Sequence, residues 1–234
     1  MTARRRLWPL GLGLGAVVLY GALVAVCALG IAIEQRTLAS LFKPLPVLLL
    51  AGLVAARGSE AWERRTVMAL LFCALGDVVL ELGFFVPGLV AFLVGHLFFL
   101  GAFVGAGRGL HLERAVPFAL WGGAAMLALG ASLGPMKIPV LLYTATICAM
   151  MWRAACLLEA PLLAAERRWA LSIAVGAIVF AASDTLIALN RFHTPFVGAR
   201  PLILGLYWLG QLLLADGIVA RAMALDSRPR SVSA

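Results

Sequence analysis

Charge is what this sequence has least of. Only 13% of its 234 residues are charged, against 63% hydrophobic and a mean hydropathy of +1.02; soluble domains carry about 25% charged residues. A chain so poor in polar groups cannot cover its own surface in water, so a soluble globular fold is excluded. Cysteine is scarce too. Cys27, Cys73, Cys148 and Cys156 lie inside apolar runs without CxxC spacing, which argues against a disulfide framework or a zinc site and leaves them as small hydrophobes. No metal or cofactor is expected. The net charge of +8 comes from short basic clusters between apolar runs, without the aromatic-basic interleaving of a nucleic-acid face, so no nucleic acid partner is expected. The apolar runs do not alternate, which excludes a membrane barrel. Arg4-Arg5-Arg6 followed by Trp8 to Ile33 begins like a signal peptide, but its apolar run is too long and no cleavage site follows; a retained first helix is expected.

What remains is an all-α, polytopic integral membrane protein. A spanning helix needs about 20 apolar residues, and the runs predict eight transmembrane helices near 8–33, 41–56, 66–86, 88–107, 115–133, 135–156, 169–190 and 201–222. Tight turns are expected at Pro87-Gly88 and Gly134-Pro135. Residues 1–225 form a single helical domain in this scheme, and 226–234 a polar, disordered tail. With the N-terminus inside, 14 basic residues face the cytoplasm and five (Arg36, Lys43, Lys137, Arg191, Arg200) face out. That asymmetry predicts cytoplasmic termini, in a bacterial inner membrane. An internal echo suggests a 4+4 parallel repeat. Gly76-Asp77 through Phe85 resembles Ser183-Asp184 through Phe192, and Val94-Gly95-His96-Leu97 resembles Leu209-Gly210-Gln211-Leu212, each pair four helices apart.

Ionisable groups at bilayer depth are costly and mark function by default. Asp77, Glu81, His96 and Asp184 fall within spans, and Lys43 stands at the mouth of the second. At about 1.5 Å per residue, Asp77, Glu81, His96 and Asp184 with Tyr143, Tyr207 and Gln211 fall in one layer of the outer half, whereas Asp216 lies deeper and reads as structural. His96, Tyr143 and Tyr207 also suit ordinary core packing, Gln211 suits helix-helix glue, and Lys43 suits snorkelling. Asp77 and Asp184 are harder to explain as structure. Paired carboxylates away from water can divide labour, one holding its proton as a general acid while the other acts as a base or stabilises an oxocarbenium-like state. The same pair would equally serve a proton relay in a transporter.

The motifs Phe42-Lys43-Pro44, Gly76-Asp77, Gly88…Phe92…His96, Gly176-Ala177…Phe180…Ser183-Asp184…Phe192 and Tyr207…Gln211, in this order from residue 42 to about 214, resemble the YhhN/lysoplasmalogenase family. The resemblance implies an eight-helix lipid hydrolase that cleaves the vinyl ether bond of lysoplasmalogens to a fatty aldehyde and a glycerophospho-headgroup. A lysophospholipid substrate and the lipid bilayer are then the partners. It implies roles for Lys43, Asp77, His96, Ser183, Asp184, Tyr207 and Gln211. Asp77 and Asp184 become the candidate catalytic pair, with Lys43, Glu81, His96, Tyr143, Ser183, Tyr207 and Gln211 binding or orienting, and Lys43 holding the lipid phosphate with Arg191 or Arg200. One departure is Phe99, where the family often has tyrosine. The rival class is a proton-coupled transporter of a small or lipid-like substrate. An intramembrane aspartyl protease fits less well, since Ala74-Leu75-Gly76-Asp77 lacks that family's first glycine. A purely structural membrane subunit would leave the polar layer unexplained.

Overall fold

The computed structural model describes residues 11–33, 40–58, 60–106, 109–158 and 164–226. Arg4 to Arg6, Arg36, Arg108, the expected start of the first span at residue 8 and the expected tail after Asp226 lie outside them. Among the described residues there is no strand. The α-helices are α1 (Leu14–Ala32), α2 (Leu45–Ala55), α3 (Ala61–Glu81), α4 (Phe85–Ala106), α5 (Val116–Leu129), α6 (Lys137–Cys156), α7 (Ala164–Phe192) and α8 (Ala199–Asp226). Only α-helices satisfy every backbone group within the segment, which is what an apolar chain without alternation must do in lipid. Six of them, α1 and α4 to α8, are long and apolar enough to cross a membrane once α5 is counted with the 3₁₀ turn Leu112–Ala115 before it, and the chain is an integral membrane protein. The other two depart for different reasons. Ser40–Ala55 is apolar but short, and α3 carries Glu63, Arg64, Arg65, Asp77 and Glu81.

One expected turn is misplaced. The chain reverses at Leu82-Gly83-Phe84, with Gly83 at φ 89°, and Pro87-Gly88 already belong to the first turn of α4. Proline is tolerated there because the first-turn N–H groups have no helical partner, whereas a left-handed φ favours glycine. The Gly134-Pro135 turn stands, as a short 3₁₀ segment over Gly134–Met136.

The two most extensive helix pairs are α3 with α4 and α7 with α8. α2 packs against α3 and α8, and α6 bridges α4 to α7; α1 and α5 lie outside this group, α1 on α2 and α8, α5 on α6 and α7. Glycines at matching places permit the close approach. A Cβ on Gly95 would stand 3.0 Å from Cys73 Sγ, and one on Gly210 would stand 2.8 Å from the Phe180 amide nitrogen. Phe99, Phe103, Phe180, Leu70, Met150, Ile173 and Ile218 fill the centre, while leucines and valines such as Leu71, Val90, Leu120, Leu141 and Leu171 point outward on every side. An outer surface this apolar suits lipid rather than water.

Arginines gather at one end of the bundle. Arg65 donates to the Gly101 carbonyl, Arg114 to Ala155 and Arg153 to Gly109, and the Arg221 guanidinium lies 4.3 Å over the Trp62 ring. Glu81, Phe85, Lys137, Phe192 and Arg200, at helix termini, define the other end. Asp216 lies outside the polar layer and has a structural partner, accepting the Leu12 amide at 3.2 Å.

Candidate functional site

Five helices and the residues just before α2 deliver polar side chains to the end of the bundle marked by Glu81. Lys43 precedes α2, whose first turn opens on Pro44-Leu45-Pro46. Its ammonium lies 3.4 Å from Asp77 Oδ1 and 3.7 Å from Glu81 Oε2. Asp77 and Glu81, four residues apart on α3, share one face, so one cation reaches both. The Tyr207 hydroxyl, from α8, donates to Asp77 Oδ2 at 2.7 Å. Asp77 is 1% exposed and Lys43 9%, so this is an ion pair removed from solvent and completed by a hydrogen bond, as a buried charge requires. Glu81 stands nearer the mouth, accepting from Arg200 at 2.9 Å and from the Ser40 hydroxyl at 3.1 Å.

Asp184 is differently furnished. It has no lysine or arginine partner among the ion pairs of the described residues; the Tyr143 hydroxyl, from α6, donates to its Oδ2 at 2.7 Å, and His96 Nε2, from α4, lies 3.4 Å from the same oxygen. His96 Nδ1 is 2.7 Å from the Phe92 carbonyl. A carbonyl only accepts, so Nδ1 carries the hydrogen, and a neutral His96 turns the lone pair of Nε2 toward the carboxyl group. Two acceptors facing each other across 3.4 Å need a proton between them. The His96 ring is fully buried, tilted by 30° against Phe180 at 4.5 Å and 5.3 Å edge-on to Tyr143, which fixes its direction.

Both aspartates line one cavity of about 790 Å³, its open mouth included, together with Lys43, Ser183, Asn190, Arg200 and Tyr207. Of the expected layer, Asp77, Glu81, His96, Tyr143, Asp184 and Tyr207 are brought together, and Lys43, expected at the mouth, joins Asp77 and Glu81. Ser183 lines the cavity but spends its hydroxyl on the Ile203 carbonyl at 3.0 Å, pinning α7 to α8. Gln211 is not brought to either aspartate. It is fully buried beside the Cys73 thiol, and among the described residues neither amide atom has a partner of ordinary hydrogen-bond geometry. Of the two arginines considered for the mouth, Arg200 is there, and Arg191 lies 4.7 Å over the Phe85 ring. Ser40 and Asn190 are additions that no periodicity marks, being single polar residues at helix ends. Among the described residues no three His, Cys, Asp or Glu side chains converge as a metal site would require, and the position between Asp77 and Glu81 is held by the Lys43 ammonium.

Comparison with known proteins finds relatives of this sequence over most of its length. The lysoplasmalogenase TMEM86A of Homo sapiens is 34% identical over 194 residues, covering 75% of this chain and 76% of that protein. Human lysoplasmalogenase TMEM86B is 30% identical over 179 residues, 75% of this chain and 73% of its own. A lysoplasmalogenase of Mycobacterium tuberculosis is 33% identical over 178 residues, 71% of this chain and 64% of its own. No solved structure matches. The model of the YhhN family matches residues 38–218, a range that holds every residue of the cavity, and the chain belongs to that family.

Proposed function

We propose that this protein is a membrane lipid hydrolase of the lysoplasmalogenase type, which cleaves the vinyl ether bond of lysoplasmalogens to a fatty aldehyde and a glycerophospho-headgroup. The observation that carries this beyond the likeness to its relatives is that two buried aspartates with unlike partners face one cavity. A vinyl ether is hydrolysed by adding a proton to the chain-side carbon of its double bond. The oxocarbenium ion so formed is attacked by water, and the hemiacetal collapses, the glycerol oxygen leaving with a proton.

The two partner sets divide these tasks. Asp184, facing an imidazole lone pair with no lysine or arginine beside it, is the general acid, and the Asp184–His96 pair holds the proton to be given. Asp77, paired with Lys43, stays a carboxylate that steadies the cation and takes a proton from the attacking water. Tyr143, Tyr207 and His96 orient the pair. Lys43 and Arg200 hold the lipid phosphate at the mouth, exchanging it for Glu81. Ser183 and Gln211 support the walls.

All eight helices cross the membrane in this proposal, within one domain over 1–225; α3 is able to do so because Glu63 and Asp77 are buried in protein rather than lipid. The basic end of the bundle faces the cytoplasm, with both termini, and the membrane is the bacterial inner membrane. The halves α1–α4 and α5–α8 form a parallel repeat. In its support, Asp77 follows by four residues the Cys73 that meets Gly95, and Asp184 follows by four residues the Phe180 that meets Gly210. Each aspartate also draws one partner from the chain at or before the preceding helix of its own half (Lys43, Tyr143) and one from the last helix of the other half (Tyr207, His96).

Purified protein offered lysoplasmenylethanolamine should release aldehyde and glycerophosphoethanolamine, both identified by mass spectrometry. Absence of aldehyde, with substrate-dependent proton flux in proteoliposomes, would replace hydrolysis by transport.

A further inference from the structure

We propose that the substrate's alkenyl chain occupies an apolar slot enclosed by α4, α5, α6 and α7, that it enters sideways between α4 and α5, and that this slot sets chain-length preference. The proposal rests on the hydrolase assignment above and names where the rest of the lipid goes. A second cavity, about 730 Å³ with its opening, adjoins the polar one. The two share Leu80, Phe85, Phe92, Ile187 and Asp184 in their linings, whereas Asp77 lines the polar cavity and not the slot. Asp184 therefore stands where a polar and an apolar compartment meet. That is the place a vinyl ether must occupy, with its oxygen on the glycerol side and its double bond continuing into hydrocarbon. The carbon to be protonated is the chain-side one, and the acid found at the junction is Asp184.

The slot's own polar groups are turned into its walls. Trp121 Nε1, on α5, donates to Thr185 Oγ1 at 3.1 Å, Thr185 Oγ1 donates to the Ala181 carbonyl at 2.8 Å, and Thr144 Oγ1 lies 3.9 Å from Met126 Sδ. Apart from the Asp184–Tyr143 corner, what faces the interior is Leu89, Ala125, Ile147, Ala188 and their neighbours. Each helix contributes a stretch of eight or nine residues to it (85–92, 121–129, 140–148 and 184–192), about 12 Å along the axis at 1.5 Å per residue. One end is stopped by the cluster of Leu129, Leu133, Val140 and Phe192. The inferred entrance is the side between α4 and α5, since among the described residues these two helices form no extensive interface although both line the slot. α5 buries only Gly122 and Leu129 and is tied to α7 by the Trp121–Thr185 hydrogen bond. A lysolipid lying in the bilayer can thus slide its chain through the α4/α5 gap while its headgroup reaches Lys43 and Arg200.

The test measures kcat/KM of wild type and Ala125→Phe on lysoplasmenylethanolamines of short and long alkenyl chain. A phenylalanine at 125 fills part of the slot, and the long-to-short ratio should fall about tenfold, the equivalent of roughly two methylenes left unburied. A ratio unchanged in a folded variant, or an equal loss at both lengths, overturns the slot while leaving the hydrolase assignment standing. A wild type that releases no aldehyde at any length overturns that assignment instead. Wild-type protein is then labelled with a lysophosphoethanolamine ether carrying a diazirine at mid-chain, a measurement that also decides should the variant not fold. Crosslinks within 85–92, 121–129, 140–148 or 184–192 support the slot, and crosslinks confined to residues outside these four stretches overturn it.

Discussion

Replacing Asp184 by asparagine separates the proposed proton from the fold that holds it. Asparagine has the same outline, and the structure shows how its neighbours would receive it. With Nδ2 at the place of Oδ2, one hydrogen points to His96 Nε2, 3.4 Å away, and the other to the Tyr143 oxygen at 2.7 Å. A tyrosine hydroxyl accepts as readily as it donates, and His96 keeps its Nδ1 hydrogen on Phe92. No charge is stranded, and the one group that loses its acceptor is the Tyr143 hydroxyl hydrogen beside the cavity, so stability should change by about 1 kcal/mol. Activity should collapse. A positioned general acid is worth about 10²–10⁴ in rate, or about 3–5.5 kcal/mol of barrier at 1.36 kcal/mol per decade. Asp77→Asn differs in kind. It leaves the Lys43 ammonium with Glu81 at 3.7 Å as its one carboxylate partner among the described residues and should cost about 3 kcal/mol in stability as well as activity, since a nearly buried charge loses its closer counter-charge. Aldehyde release and thermal unfolding, measured on both purified variants, read the two effects separately. If Asp184→Asn keeps kcat within tenfold of wild type at an unchanged Tm, the proton comes from elsewhere. If its Tm drops as far as that of Asp77→Asn, the placement of His96 and Tyr143 around it is wrong.

Three further perturbations probe other parts of the site. Tyr207→Phe removes the 2.7 Å donor to Asp77 and should lower kcat about 10–100-fold, since a hydrogen bond to a charged group is worth about 1.5–3 kcal/mol; an unaltered kcat would make Tyr207 a packing residue. Glu81→Gln weakens the hold on Arg200 and Lys43, and because Arg200 is 45% exposed on its side chain the pair is worth at most about 1 kcal/mol. KM for the lysophospholipid should then fall by up to about fivefold, and a rise in KM would show that Glu81 positions substrate rather than standing in for its phosphate. Gly210→Ala would drive a Cβ to 2.8–3.0 Å from the Phe180 backbone, whereas in Gly95→Ala the nearest atom is the Cys73 sulfur at 3.0 Å. Both should destabilise by about 1–3 kcal/mol, Gly210→Ala more, as read by thermal unfolding; the opposite order would contradict the packing of α7 on α8.

Much of this site is legible in the sequence because membrane depth makes polar residues conspicuous. Asp77 and Asp184 are singled out by the cost of a carboxylate in lipid, and the four-residue spacing of Asp77 and Glu81 puts both on one helical face. The partner of each group is not legible. Whether Tyr143 and His96 converge on Asp184, or Tyr207 on Asp77, depends on how each helix is rotated about its axis. Hydropathy does not encode that in runs that are apolar all round. Helix ends are displaced for a related reason. The third apolar run starts at 66, yet α3 begins at Ala61 because Trp62, Glu63 and Thr66 are buried within the protein, which a scale of transfer to lipid counts as loss. The turn at Leu82-Gly83-Phe84 is hidden by Pro87-Gly88, a stronger breaker in sequence but a tolerated one in a first helical turn. Gln211 shows the converse, a residue marked by motif whose amide meets neither aspartate.

In the proposed repeat, equal scaffolds carry unequal chemistry. The two aspartates stand at matching places on α3 and α7, and matching glycines seat α4 on α3 and α8 on α7, so backbone alone would give both carboxylates one environment. The difference enters through four side chains. Asp77 receives an ammonium and a hydroxyl hydrogen, and Asp184 a hydroxyl hydrogen and an imidazole lone pair. An ammonium favours the carboxylate form and a lone pair favours the carboxylic acid. The pair is thereby assigned opposite duties by donors from neighbouring helices, without either aspartate leaving its symmetric place. The second cavity breaks the symmetry in the same direction, since it opens beside Asp184 and not beside Asp77. The group set up to give a proton is also the one against which a hydrocarbon chain can lie. Interchanging the donors, as in Lys43→Tyr combined with Tyr143→Lys, should therefore leave hydrolysis abolished rather than restored. Its acid would then face water and the phosphate, and its carboxylate the chain; recovery of aldehyde release by that double variant would show that the geometry of the slot has no part in choosing the acid.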